Sequence, residues 1–186
     1  MEIIDLNKTV GKSIQEFYDK NVFGEDGGIN KKFAWIKFGF ISIPLPNFES
    51  RKKNVYLHDI HHIITDNNIS WKGESAVSAW EIASGGWGNF VIPWLLTLWA
   101  MGLGVLFHRK STLKAFTNGR TMRNALTCGL TKSEICNLTV AAIRAKVSNQ
   151  NNTNKSFLLW STISLIIFFL PFVLGGIVLI EIINLF

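Results

Sequence analysis

The stretch LHDIHHIITDNNISWKGESAVSAWE, residues 57–81, decides how this chain is read. His58, Asp59 and His62 spell H-D-x-x-H, and Glu74 follows after a gap of eleven residues. Residues four apart share one face of a helix, with Cβ atoms about 5–6 Å apart, so His58 and His62 pair. Asp59 stands three before His62 and leans over the same edge. Thr65-Asp66-Asn67-Asn68 has turn composition. A second helix is expected from near Ser70 to the stop signal Gly85-Gly86. Glu74 then lies in its first turn, where the helix dipole favours a carboxylate, and it must pack back against the first helix. The fold class that follows is all-α.

Two neutral imidazoles with one or two carboxylates suit a divalent ion, zinc first. His58, Asp59, His62 and Glu74 are therefore candidate metal ligands. If only three of them ligate, Asp59 or Glu74 is left to move protons, which makes these two the candidate catalytic residues. The alternative is a half-exposed helix face on which histidines meet by chance. Against it, the chain has four histidines and three of them fall within five residues. The pattern is like the H-E-x-x-H of zinc hydrolases with a shorter carboxylate. HDIHH also reads as one histidine box of the membrane di-iron desaturases, but His108 alone remains outside the cluster, too few for further boxes. His61 is expected at the surface, or else as a partner to a ligand.

Composition frames the motif. Hydrophobic residues make up 48% of the 186 and charged residues 17%, more apolar than an average soluble domain. Net charge is +6, unevenly spread. Residues 1–88 hold ten Lys or Arg and eleven Asp or Glu, whereas 108–155 hold nine Lys or Arg against Glu134 alone. A basic stretch between apolar runs points to an anionic membrane or a lipid phosphate rather than to nucleic acid; a merely solvated basic face is the other reading. Cys128 and Cys136 are too few for a disulfide framework or a CxxC metal site, so they are expected reduced. MEIIDLNKTVGKS at the start has no apolar core of a signal peptide.

The remaining elements follow from local pattern. Residues 8–20 suit a short amphipathic helix, and 33–46 an extended segment ended by Pro44 and Pro46. Gly129 is expected to end one helix, and Thr131 with Glu134 to form a capping box for the next, 132–147. The organisation predicted is an N-terminal helix and extended segment (1–49), a metal-motif helical domain (50–147), a polar linker (148–156) and a membrane anchor (157–186).

Phe157 to Ile180 is 24 uncharged residues interrupted by Pro171 and Gly175-Gly176. That is long enough to span a bilayer, either as one kinked helix or as a hairpin turning at Pro171. Asn89 to Phe107 is also uncharged, and it can be read as a span or as an interfacial, re-entrant or groove-lining helix.

The motif with its gap, in the setting of 57–81, resembles the coenzyme Q biosynthesis protein four family. Gly73 before Glu74, Ala76-Val77 after it and Trp80-Glu81 extend the likeness, and Asn118-Gly119-Arg120 resembles the family's N-G-R. The likeness covers roughly 50–147; the segment before it matches poorly, and the tail from 148 lies outside it. The resemblance implies a helical, membrane-associated protein that binds a divalent metal through the motif and holds a polyprenyl lipid in an apolar groove. It also implies a role in ubiquinone assembly, as organiser of the biosynthetic enzymes or as the agent that replaces the ring carboxyl group by hydroxyl. Partners would be a membrane, a polyprenyl lipid or quinone precursor, and other quinone-biosynthesis proteins or further copies of the chain. Asn118 and Arg120 would meet a lipid carboxylate or phosphate, although a structural ion pair suits Arg120 equally.

One domain over 50–147 requires the motif and Arg120 on one side of the membrane, which disfavours a crossing at 89–107. The positive residues 109–155 place that side in the cytoplasm. Three functions stay open: a metal-dependent decarboxylase or hydroxylase of a prenylated ring, a non-catalytic scaffold that presents the lipid, and a metal-dependent lipid hydrolase.

Overall fold

The structure is a computed structural model, and it describes residues 4–38, 41–148 and 152–185. Among these, eight helices and one two-stranded hairpin form, so the fold is helical as expected. The chain divides into two compact units, each built from two separate segments. Unit 1 takes residues 1–66 and 123–150, and unit 2 takes 67–122 and 151–186. This division differs from the expected boundaries at 50, 147 and 157.

Unit 1 begins with α1 (Val10–Asn21), whose N-cap Thr9 accepts from the Lys12 N–H. Its Val10, Ile14 and Tyr18 are buried, a stripe spaced by four along one face. The extended segment is an antiparallel hairpin, β1 (Phe33–Phe38) paired with β2 (Ile41–Pro46); its turn at 39–40 lies outside the described residues. Asn47 follows it, and its Nδ2 donates to the carbonyls of Gly28, Ile29 and Lys31, which ties the preceding loop to the start of α2 (Glu49–Thr65).

The helix expected over 132–147 is two helices, α6 (Lys132–Asn137) and α7 (Val140–Val147). The capping box of Thr131 and Glu134 opens α6 as expected. The break comes because Thr139 caps α7 and pairs with Thr9 in an isolated bridge. Val10 donates to the Leu138 carbonyl and Val140 to the Lys8 carbonyl, so backbone groups that would continue a helix are taken by the N-terminal segment. Gly129 ends no helix; it sits at φ +78 in the turn before α6.

Unit 2 contains α3 (Trp71–Ala83), α4 (Val91–Phe107), α5 (Arg109–Gly119) and α8 (Phe157–Asn184). Its core joins Ala79, Ile82 and Ala83 of α3 to Leu98 and Met101 of α4 and Phe116 of α5. Two glycines set how closely the helices approach. A Cβ at Gly104 would overlap Ser75 of α3 and come 2.5 Å from the Thr112 hydroxyl of α5. A Cβ at Gly102 would lie 2.5 Å from the Ser164 carbonyl oxygen of α8.

The long apolar run forms one helix that continues through Pro171 without a hairpin turn. Among the described residues it alone is long and apolar enough to cross a membrane, and 11% of its most apolar window is buried, unlike the core helix of a soluble protein. Its first half is no detached anchor. Ser161, Ser164 and Phe168 are buried, and Trp160 stacks on Trp94 of α4 with centroids 5.5 Å apart. The polar linker expected at 148–156 is described only in part, since 149–151 lie outside the described residues. Beyond it, Thr153 donates its N–H to the Arg120 carbonyl and accepts from the Arg120 side-chain Nε, and Lys155 donates to the Ile82 carbonyl.

Candidate metal centre

The histidine motif lies in the last two turns of α2. That helix stops at Asp66, which takes the left-handed conformation at φ 55 and donates its N–H to the His62 carbonyl. The inward face of α2 carries Ile60, Ile63 and Ile64, all buried. Packing of this apolar stripe rotates His58 and His62 together onto an adjacent face.

His62 is buried and His58 half-buried. Their rings meet edge to face at 85°, and the two Nε2 atoms stand 3.2 Å apart. Two imidazole nitrogens bound at about 2.0–2.1 Å to one tetrahedral ion are themselves about 3.3 Å apart. The pair thus has the separation that two ligands of one zinc ion need. With no ion between them, the same distance is a hydrogen bond in which one ring donates and the other accepts. The ring of Phe17 stacks on His62 at 5.5 Å and fixes its orientation.

Asp59 faces elsewhere. It is buried, and its Oδ2 accepts from the Tyr18 hydroxyl at 3.0 Å. Burial first, and the Asp59 charge second, push the Tyr18 hydroxyl far above its ordinary range, so it remains a donor. Nearby, burial pulls the Arg51 guanidinium below its usual value while the Asp59 charge opposes the fall. Arg51 donates to Asn47 Oδ1 at 2.7 Å.

His61 is not a surface residue. It is fully buried, and its Nε2 accepts from the Ala125 N–H at 3.0 Å. An accepting Nε2 requires a neutral ring protonated on Nδ1. The turn of about 100° from His62 to His61 swings this ring away from the paired face and into the interior.

Glu74 is half-buried in the first turn of α3, behind the N-cap Ser70. Gly73 is required there, since a Cβ would overlap the Asn68 carbonyl oxygen. His58, His62 and Glu74 each offer one ligand atom of a kind that holds a metal ion.

The other expected site residues sit in ordinary structural roles. Asn118 is exposed near the end of α5, and its carbonyl accepts from Thr121. Arg120 spends its Nε on the Thr153 carbonyl at 3.0 Å. Unit 1 also has an open cleft of about 360 Å³ whose lining includes Leu57, Ala125, Leu126, Lys52 and Lys132. Lys132 holds its ammonium 3.8 Å over the Tyr56 ring, and the Tyr56 hydroxyl lies 2.7 Å from Cys136 Sγ.

Sequence reasoning missed Phe17 and Tyr18, which come from α1, forty residues before the motif. The periodic apolar stripe of 8–20 marked that helix as packed, but nothing in it indicated against what. It also missed a buried polar cluster in unit 2. Glu81 is fully buried, and its Oε2 accepts from Trp87 Nε1 at 3.3 Å and from the Thr97 hydroxyl at 3.2 Å.

Comparison with family models, curated proteins and solved structures finds no match for this chain.

Proposed function

We propose that this chain is a membrane-attached metal protein acting on, or presenting, a prenylated ring lipid in quinone biosynthesis. The observation that carries the reading is the 3.2 Å approach of His58 and His62 Nε2 on one face of α2. We assign Glu74 as the third ligand, on the motif spacing and the chemistry of its donor atom. Zinc suits two imidazoles and a carboxylate, and such an ion supplies a Lewis acid for an oxygen of the ring. Asp59, held by Tyr18, positions α1 against α2 rather than ligating. Glu74 is then the remaining carboxylate of the motif, which would hold the ion or carry a proton. The quinone assignment itself rests on the resemblance of 57–81 and of Asn118-Gly119-Arg120. The attachment rests on α8, and the cytoplasmic side on the positive residues between 109 and 155.

Purification of the full chain in mild detergent, followed by mass spectrometry of bound metal and lipid, tests both parts. Wild type is expected to retain a divalent ion and a prenylated ring lipid. Either His58→Ala or His62→Ala should lower metal affinity about tenfold or more, and His61→Gln should change it little. A wild-type protein without divalent ion, or equal losses in all three variants, overturns the metal reading. Phospholipid alone overturns the quinone reading.

The scaffold reading has one specific observation in its favour. The Asp59 carboxylate already accepts a buried hydrogen bond from Tyr18, which leaves one fewer acid for chemistry. Quinone synthesis that persists in His58→Ala cells would select it.

A further inference from the structure

The four helices of unit 2 have a common order along their length. Trp94 and Trp160 stack near the starts of α4 and α8, while Gly102 meets Ser164 and Phe168 further along both. These two helices therefore run parallel. α3 runs against α4, since Ser75 meets Gly104 and Glu81 meets Thr97. α5 runs with α3, because Thr112 lies at Gly104 and Gly119 lies at Trp80. One end of the bundle thus gathers the end of α4, the start of α5 and the first turn of α3.

From Phe169 to Leu185 every residue of α8 is exposed, and a Cβ at Gly175 or Gly176 would meet nothing within 4 Å. At 1.5 Å per residue, that stretch runs about 25 Å past the last buried residue, Phe168, and about 18 Å of it, up to Ile180, is uncharged before Glu181. It leaves the bundle at the end where Leu106 and Phe107 are 42% and 70% exposed. Arg109 and Lys110 follow directly and are exposed too. Apolar side chains beside exposed cations match the boundary between acyl chains and anionic headgroups.

α4 does not cross. α3 and α5 lie along its length, and α5 exposes Arg109, Lys110 and Lys114, charges that a bilayer interior excludes.

We infer that unit 2 stands on an anionic bilayer by this one end. α8 enters the membrane beyond Phe168, and Leu106, Phe107, Arg109 and Lys110 meet the headgroup layer. The inference deepens the reading of α8 as the membrane attachment and rests on it. It does not depend on the metal.

The test uses the full chain carrying Cys128→Ser and Cys136→Ser, reconstituted in vesicles of phosphatidylcholine with phosphatidylserine. An environment-sensitive fluorophore is placed on Leu158→Cys, Leu106→Cys or Val178→Cys, with quenchers in water, at the headgroups or on the acyl chains. The Val178 site should respond to the acyl-chain quencher, the Leu106 site to the headgroup quencher and the Leu158 site to the aqueous one. Adding Arg109→Glu and Lys110→Glu should cut headgroup quenching at Leu106 severalfold, because two cations facing the anionic headgroups become anions. Acyl-chain quenching at Leu158 and Val178 alike would show α8 immersed along its whole length and would overturn the inference. Aqueous quenching at both would instead remove the membrane reading of α8. A Leu106 site open to water on anionic vesicles would overturn the end-on contact alone.

Discussion

The two units hold themselves together in different ways. Unit 1 is stitched by polar side chains that reach across sequence, with Tyr18 on Asp59, His61 on the Ala125 N–H and Arg144 on the Ile63 carbonyl. Unit 2 is held by close helix packing through Gly102, Gly104 and Gly119, with aromatic stacks between α4 and α8. Directional hydrogen bonds fix side-chain angles as well as distances. In unit 2 the glycines instead let helix backbones approach more closely than a Cβ would allow. One unit is thus ordered by directional polar contacts and the other by close helix approach.

The contrast is broken most directly at Gly104. Gly104→Val should destabilise unit 2 by about 3 kcal/mol or more, because the added atoms overlap Ser75 and Thr112 in a packed interior. Thermal unfolding in detergent measures this, and a midpoint within a degree of wild type would show that glycine contact does not hold the unit.

His61→Leu sharpens the other side. It strands the buried Ala125 N–H, which should cost about 1–3 kcal/mol. Denaturant unfolding would register the loss while the metal content of the folded protein stays near wild type. Strong metal loss with unchanged stability would instead make His61 a ligand.

Tyr18→Phe is expected to have the smallest effect. It deletes one hydrogen bond to the Asp59 carboxylate at nearly constant volume, so about 1.5 kcal/mol should be lost, the low end for a bond to a charged group. Metal affinity should fall no more than a few fold, since Phe17 still stacks on His62. A loss as large as that of His62→Ala would show that Asp59 is held for the ion itself.

How much of this was legible in the chain varies with the range of the interaction. The stop at Thr65-Asp66, the caps Ser70 and Thr131 and the start of α1 near Thr9 were readable, because each depends on residues within one turn. The i,i+4 spacing of His58 and His62 implied a shared face, and their nitrogens do converge. The break at Leu138-Thr139 was not readable, since it depends on pairing with Thr9, 130 residues earlier. His61 was misplaced for a similar reason. A polar residue looks solvent-facing until a distant backbone N–H is found to meet it, and here that donor comes from residue 125.

Local composition by itself determined α1, α2 and α3, the paired histidines of α2 and the apolar length of α8, because helix propensity, capping and hydropathy act over a few residues. Only the tertiary structure decided that Asp59 belongs to Tyr18, that Arg120 serves a backbone carbonyl, and that half of α8 packs as core while half stands free. Those outcomes turn on which buried polar group finds a partner and which apolar face finds a neighbour, and both are settled by contacts between segments far apart in the chain.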